Sequence, residues 1–408
     1  MGYKNRVRIL WVKAGKLLPV ENGGNIRTYH VARYLAERHE LTFFSYYDGA
    51  RDSSYEDELC AEFPGAVPLC TQKTDSVAFR RALDYLRRLP SGIPYSVSRF
   101  SSRIVRAQLE TRLRQGLFDV AVGDFHDAAV NFPEKLSIPS VLFQHNVESE
   151  IWRRHVLTEP SPIKKLIYGI EFLKMLRYEE ATLKKFTHVI AVSEHDRRLM
   201  AAWVDPGRIT VVPTGVNLQL YRPEPAPAPV APLVMFVGAM DWEPNVDAAE
   251  YFCHEIWPAI ERTVPEARFR IVGRNPSRRV QKLASASVQI TGRVPSVVDH
   301  LREAAVVVVP LRVGGGTRLK IYEAMGAGKA VVSTTIGAEG LDVHHGRDII
   351  LADDPASFAE AVLTLLKDPD LRSGYEYAAA KLASQYDWAS IGRRFAEVLE
   401  QVAAGPRS

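Results

Sequence analysis

Short, continuous apolar runs rich in β-branched residues recur along the chain, separated by stretches whose apolar positions fall three and four residues apart. In the first half they are VRILWVK from Val7, LTFFSY from Leu41, FDVAVG from Phe118, PSVLFQ from Pro139, HVIAVS from His188 and ITVVPT from Ile209. Continuous rather than alternating apolarity marks strands buried on both faces of a parallel sheet, and parallel strands need crossovers that helices supply. Five prolines in YRPEPAPAPVAP, Tyr221 to Pro232, then forbid regular structure and make a stiff connector. Beyond it the pattern restarts with LVMFVG from Leu233, ARFRIVG from Ala267, VQITG from Val288, AAVVVVP from Ala304, AVVSTT from Ala330 and DIILA from Asp348. The class is α/β. Two Rossmann-like domains are expected, 1–222 and 233–386, joined by a connector at 223–232. Ligands of open α/β sheets bind beyond the carboxyl ends of the strands, so the site is expected in the cleft between the domains.

The segment VPLRVGGGTRLKIYEAMGAGKAVVSTT, Val309 to Thr335, carries the most chemistry. A buried strand runs into Gly314, Gly315 and Gly316, then Thr317, then a helix bearing Arg318, Lys320 and Glu323. Glycines admit a ligand close to the backbone, the N–H groups of a helix start point at it, and two cations suit a diphosphate. Residues two apart on a helix point in nearly opposite directions, so Arg318 shares a diphosphate with Lys320 only from the loop or the first turn. Glu323 is unwelcome beside a phosphate and is read as reaching past it to hydroxyls. Together these describe a nucleotide sugar. The alternative is a plain strand, turn and core helix. A Walker loop is excluded: Glu323 stands where its first glycine belongs and Ala330 replaces the Ser/Thr.

Smaller signals lie at other strand ends. Gly23 and Gly24 precede a helix with Ile26, Val31, Tyr34 and Leu35 on its buried side, without a dinucleotide fingerprint. His145 follows the strand ending at Gln144 and is read either as a ligand contact projecting into the cleft or as a satisfied structural histidine. Gly238 closes the first strand after the connector, and Gly292, Arg293 and Val294 follow another.

Composition changes this picture little. Of 408 residues, 46% are hydrophobic and 25% charged, as in an ordinary globular protein. No apolar run reaches bilayer length, no signal-peptide core is present, and Arg6 excludes a myristoylation motif, so a cytoplasmic location is expected. Cys60, Cys70 and Cys253 form no zinc or redox spacing and are read as buried hydrophobes. Two stretches are strongly basic, Arg80 to Arg114 and Lys164 to Lys185; they suit an anionic membrane surface or solvated helix faces. A net charge of only +4 without a recognition motif argues against nucleic acid.

The Val309–Thr335 segment resembles the signature of the family 4 retaining glycosyltransferases of GT-B fold, particularly bacterial members associated with exopolysaccharide assembly. That family carries two glutamates eight residues apart, on the donor sugar and the ribose. Glu323 matches the second; Gly315 stands at the first. The resemblance implies hexosyl transfer with retention from a nucleotide-sugar donor, without metal or other cofactor, to a saccharide or lipid-linked acceptor at the inner face of the membrane. It places His145 against the sugar, Gly23 and Gly24 beside the donor phosphates and acceptor, and the Arg293–Val294 backbone at the nucleobase. Many members carry a cation after the glycine matching Gly238, where this chain has Asp241 and Glu243. The terminal helix, within 387–408, is implied to cross back to the first domain. Alternatives are a nucleotide-sugar epimerase and an inactive nucleotide-sugar-binding protein, the latter suggested by Gly315.

Overall fold

The computed structural model describes residues 6–20, 22–71, 84–223, 232–313 and 319–405. The chain divides into two compact units, Met1–Pro213 with Ala389–Ser408, and Thr214–Trp388.

The first unit is built on a seven-stranded parallel sheet in the order β3-β2-β1-β4-β5-β6-β7. Its strands are β1 (Arg8–Ala14), β2 (Glu40–Tyr47), β3 (Ala66–Cys70), β4 (Val120–Asp124), β5 (Ser140–Gln144), β6 (His188–Ala191) and β7 (Ile209–Val211). All but β3 coincide with the apolar runs. β3 reads AVPLC, and Pro68 cannot donate to a ladder; the structure tolerates it because β3 is an edge strand with every residue half-buried. Trp11 anchors the core, stacked on Phe43 and edge-on to Phe143. The terminal helix, Trp388–Ala403, adds Phe395 against both Trp11 and Phe143, at centroid distances of 5.5 and 5.0 Å. Gly392 lets that helix approach closely, since a Cβ there would fall 2.3 Å from the Tyr34 ring.

The second unit repeats the winding with six parallel strands, β10-β9-β8-β11-β12-β13. These are β8 (Leu233–Val237), β9 (Arg268–Val272), β10 (Val288–Ile290), β11 (Val306–Val309), β12 (Ala330–Ser333) and β13 (Ile350–Leu351). Phe252, Trp257, Phe269 and Phe358 pack around one another beneath the sheet.

Two expectations shift. The boundary falls at Pro213/Thr214 rather than at 222, because the following residues pack on the second unit. Val216 N donates to Tyr386 O at 2.8 Å, Gly215 lies under Trp388, and Tyr221 O sits 3.0 Å from where a Gly326 Cβ would be. Connector residues 224–231 lie outside the described residues. The cysteines are not buried hydrophobes: Cys60 is exposed, and Cys70 and Cys253 are half-buried.

Candidate functional site

In the second unit the site begins where β8 and β9 converge. Gly238 N donates to Val272 O, and a Cβ on Gly273 would fall 1.6 Å from Gly238 O, so only glycine fits there. The Asn245 side chain lies directly over Gly238, whose own Cβ would come within 2.6 Å of it. Asn245 is 3% exposed; its amide Nδ2 donates to Ala239 O at 2.9 Å, which turns Oδ1 toward Lys320. Lys320 Nζ donates to that oxygen at 2.9 Å and lies 4.7 Å from the Phe236 ring centroid, a cation–π distance.

Lys320 stands in the first turn of helix Leu319–Gly326, which follows β11, and Glu323 lies three residues on along the same face. Burial pushes the Glu323 carboxyl up, against the Tyr221 hydroxyl and the Lys320 charge, which hold it down. Tyr221 is pushed up by burial and by Glu323. Gly314, Gly315, Gly316, Thr317 and Arg318 lie outside the described residues.

The loop after β10 adjoins the same strand ends. Gly292, at φ +71°, accepts from Gly273 N at 3.3 Å and from Thr291 Oγ1 at 2.9 Å, so the loop carrying exposed Arg293 and half-buried Val294 is tied to the end of β9. Asp241 and Glu243 are drawn aside: Asp241 accepts from Asn275 Nδ2 at 2.9 Å and Glu243 pairs with Arg279 at 2.7 Å.

In the first unit Gly23 and Gly24 open helix Gly23–Ala36, capped by Asn22 Oδ1, which accepts from Asn25 N at 2.8 Å. The inward residues of this helix include Arg27 and Thr28, 5% and 0% exposed, while Ile26 and Tyr34 are only half-buried. Both buried polar residues belong to a network centred on Asp124, the last residue of β4 and 2% exposed. Thr28 Oγ1 donates to Asp124 Oδ2 at 2.8 Å, Trp11 Nε1 at 3.3 Å, and Lys13 Nζ lies 3.4 Å away. Burial would raise the Asp124 carboxyl, but Lys13, His145 and Thr28 together hold it well below the usual range.

His145 completes the network. Its Nε2 is 2.7 Å from Asp124 Oδ1 and its Nδ1 is 3.2 Å from an Arg27 amino group, which also donates to His145 O. Burial lowers its pKa despite Asp124, so the ring is neutral. An acceptor-only carboxylate on one side and a donor-only guanidinium on the other place the proton on Nε2. At 7% exposure and with both nitrogens engaged, the ring does not project into open space as its strand-end position suggests.

A second polar layer lies beside it. Phe125, at φ +71°, turns the chain after β4 so that His126 and Asp127 follow. Burial takes His126 down to about 3 and Asp127 up to about 7. Glu148 rises to about 8, through burial first and then the charges of Glu179 and Asp127. Glu179, 1% exposed, caps helix Glu148–Thr158 by accepting from Glu148 N at 2.7 Å and Ser149 N at 2.9 Å. Among the described residues no group of three or more His, Cys, Asp or Glu side chains could hold a metal ion.

Sequence reading passed over Arg27, Thr28 and Asp124. Asp124 had the signal that drew attention to His145, a polar residue at a strand's carboxyl end, and Arg27 with Thr28 interrupt the apolar face of a helix.

Two family models match the chain: Glycosyltransferase Family 4 over residues 21–220 and Glycosyl transferases group 1 over residues 231–368. The phosphatidyl-myo-inositol mannosyltransferase of Mycolicibacterium smegmatis is 26% identical over 298 residues, 69% of this chain and 73% of that protein. A D-inositol 3-phosphate glycosyltransferase of Thermobispora bispora is 28% identical over 220 residues, 47% of this chain and 50% of its own length. Among solved structures, HepE of Anabaena in complex with UDP and glucose superposes with a TM-score of 0.67 at 16% identity, covering 97% of this chain and 100% of that one. Sucrose-phosphate synthase from Thermosynechococcus elongatus gives 0.71 at 17%, covering 98% and 100%. The fold is GT-B.

Proposed function

We propose, from the premise that the chain belongs to the group 1, family 4 glycosyltransferases, that it moves a hexosyl group from a nucleoside-diphosphate sugar to an acceptor hydroxyl, with retention and without metal, in cell-surface or exopolysaccharide assembly. The observation that carries this reading is the Lys320–Asn245 bond over Gly238, with Glu323 one turn away on the same helix face. A carboxamide orients an ammonium without neutralising it, so Lys320 is suited to meet a diphosphate at the start of its helix. Glu323, kept in place by Tyr221, is suited to accept from ribose hydroxyls beyond the phosphates.

In this reading the anomeric carbon–oxygen bond to the leaving diphosphate breaks as a new bond forms to the acceptor oxygen on the same face of the sugar. The acceptor's proton passes to the departing phosphate oxygen. Lys320, together with Arg318 and the glycines of residues 314–316, stabilises the charge that develops on the leaving group. His145 acts with Asp124 and Arg27: the carboxylate fixes its tautomer, and the trio holds the sugar side of the site as one unit. HepE is solved in complex with UDP and glucose and in complex with UDP-glucose, which favours a UDP-sugar donor, and a Klebsiella pneumoniae protein described as lying in a cps region is 24% identical over 55% of this chain, which favours a cell-surface polysaccharide setting.

The test is incubation with UDP-glucose and a panel of saccharide acceptors, with product anomers assigned by NMR. An α-linked product from the α-linked donor is expected. An epimerised donor formed without acceptor would make the protein an epimerase, and UDP-sugar binding with neither transfer nor hydrolysis would make it a binding protein.

A further inference from the structure

Helix Glu148–Thr158 and the following helix, Pro162–Lys185, pack along each other, and their junction exposes an apolar tip. Ile163 is 72% exposed, Leu166 67%, Leu157 63% and Leu173 52%. Positions 163, 166, 167, 170 and 173 share one helix face, and the opposite side is where Tyr168 packs on Trp152 and His155, with centroids 5.8 and 5.6 Å apart. The exposure is therefore not a fraying helix end. The helix is anchored by its inner face and presents aliphatic side chains outward, where a water-facing helix carries charges.

The exposed charges on the tip are positive. Glu159, half-buried at the junction, accepts from Ser161 N at 3.0 Å, and no acidic residue occurs between it and Glu171. Glu171 is itself 2% exposed, its carboxylate accepting from Tyr95 N at 2.7 Å with Lys174 3.7 Å away. Lys164 and Lys165 are exposed beside the aliphatic residues. In the other basic stretch several cations are engaged within the unit: Arg88 pairs with Asp84 and donates to Ser98 O, Arg106 donates to Val130 O, and Arg112 lies over the Phe44 ring, while exposed Arg87 and Arg103 each adjoin a single exposed aliphatic, Leu86 and Ile104. Arg80 and Arg81 lie outside the described residues. Among the described residues, the helix junction combines outward aliphatics with lysines and no exposed carboxylate.

We propose that this tip, Leu157, Ile163, Leu166, Ile167 and Leu173 with Lys164 and Lys165, inserts shallowly into an anionic bilayer. The lysines meet lipid phosphates while the aliphatic groups enter the acyl boundary. The proposal rests on the transferase reading with the lipid-linked one of the two acceptor classes that the resemblance implies, an acceptor that is met at a membrane surface.

Sedimentation with vesicles of phosphatidylglycerol and phosphatidylcholine tests it, because the two contributions respond differently to salt. Wild-type protein should bind these vesicles and retain a bound fraction at high salt, since screening weakens charge attraction but not apolar insertion. Ile163→Ser with Leu166→Ser should abolish the salt-resistant fraction, and Lys164→Glu with Lys165→Glu should lower binding at least tenfold at low salt. Both pairs lie on exposed positions and should keep the wild-type unfolding midpoint and UDP affinity. Equal vesicle binding by wild type and both variants, or none by any, overturns the proposal. So does a lipid-free dimer that Ile163→Ser with Leu166→Ser turns into monomer, because the surface would then serve a second copy. Failure of the transferase reading would show separately, as loss of UDP binding and transfer in every sample including lipid-free wild type.

Discussion

The two sheets wind in the same order, and in each the first helix sets polar side chains against groups at or beyond the carboxyl ends of the inner strands. In the first unit Arg27 and Thr28 of helix Gly23–Ala36 reach His145 and Asp124; in the second Asn245 of helix Glu243–Tyr251 reaches Lys320. The chemistry is inverted. Asp124 is an anion with no exposed side chain, matched by Lys13 and by donors from Thr28, Trp11 and His145. Lys320 is a cation oriented by a carboxamide and a ring. The first arrangement matches a buried anion with a cation and three donors, whereas the second orients a cation with a carboxamide and a ring, the Glu323 carboxyl lying one turn away. Equivalent strand ends on one topology thus hold charges of opposite sign in the two units.

The largest effect expected from breaking this contrast is at Asp124. Asp124→Asn removes the anion and leaves Lys13 buried without it, a change of the kind that costs about 3–5 kcal/mol. Urea unfolding should show that loss while the protein that remains folded binds UDP normally. A cost below about 1 kcal/mol would mean that water, not the network, satisfies Lys13.

The complementary change is Lys320→Glu, which places a carboxylate against the diphosphate. UDP affinity should fall at least ~100-fold, equivalent to about 2.7 kcal/mol, with the unfolding midpoint unchanged. Glu323→Ala should cost a further class of contact, about 1.5–3 kcal/mol for UDP but little for inorganic diphosphate, which has no ribose. If calorimetry shows equal losses for both ligands, Glu323 does not read the sugar ring of the nucleotide.

Much of this was legible in the chain. Every strand but β3 announced itself as a continuous apolar run, because both faces of these sheets are covered; β3 was hidden by Pro68 and its edge position. Lys320 and Glu323 could be singled out because glycines, cations and a helix start occur together in sequence. The Asp124 network was not. Its members, Trp11, Lys13, Arg27, Thr28, Asp124 and His145, are distributed over strands and a helix that only the sheet brings together. His145 could be singled out by position, but whether its ring faces a ligand or its neighbours depends on Arg27, more than a hundred residues away. The placement of residues 214–223 failed for the same reason, since nothing local tells a strand's trailing turn which sheet it will pack against.

The smallest effect concerns the second polar layer and its response to pH. Asp127 at about 7 and Glu148 at about 8 both stand above ordinary carboxylates, so the folded chain keeps protons that the unfolded chain has released. Their stabilising contribution is therefore full below about pH 4 and is lost as pH rises through 7 and 8. Asp124, held low, acts only below about pH 4, where its own contribution disappears. The buried His126 and His145 act in the opposite direction to the raised carboxyls, adding stability as pH rises to about 6.5, where an unfolded histidine loses its proton. Lys185, lowered to about 8, adds stability only above that value. Between about pH 6.5 and 8 the carboxyls are thus left to dominate, and stability should decline by no more than about 1.4 kcal/mol per pH unit for each group, less for Glu148 because its side chain is partly exposed. Glu148→Gln cannot ionise and should shrink the decline, matching wild type only near pH 4 and exceeding it increasingly as pH rises to 8. Urea midpoints that fall equally in both proteins across this window would show that Glu148 is ionised in the folded state at pH 6.5, and that the layer is a solvated acidic surface instead of a protonated one.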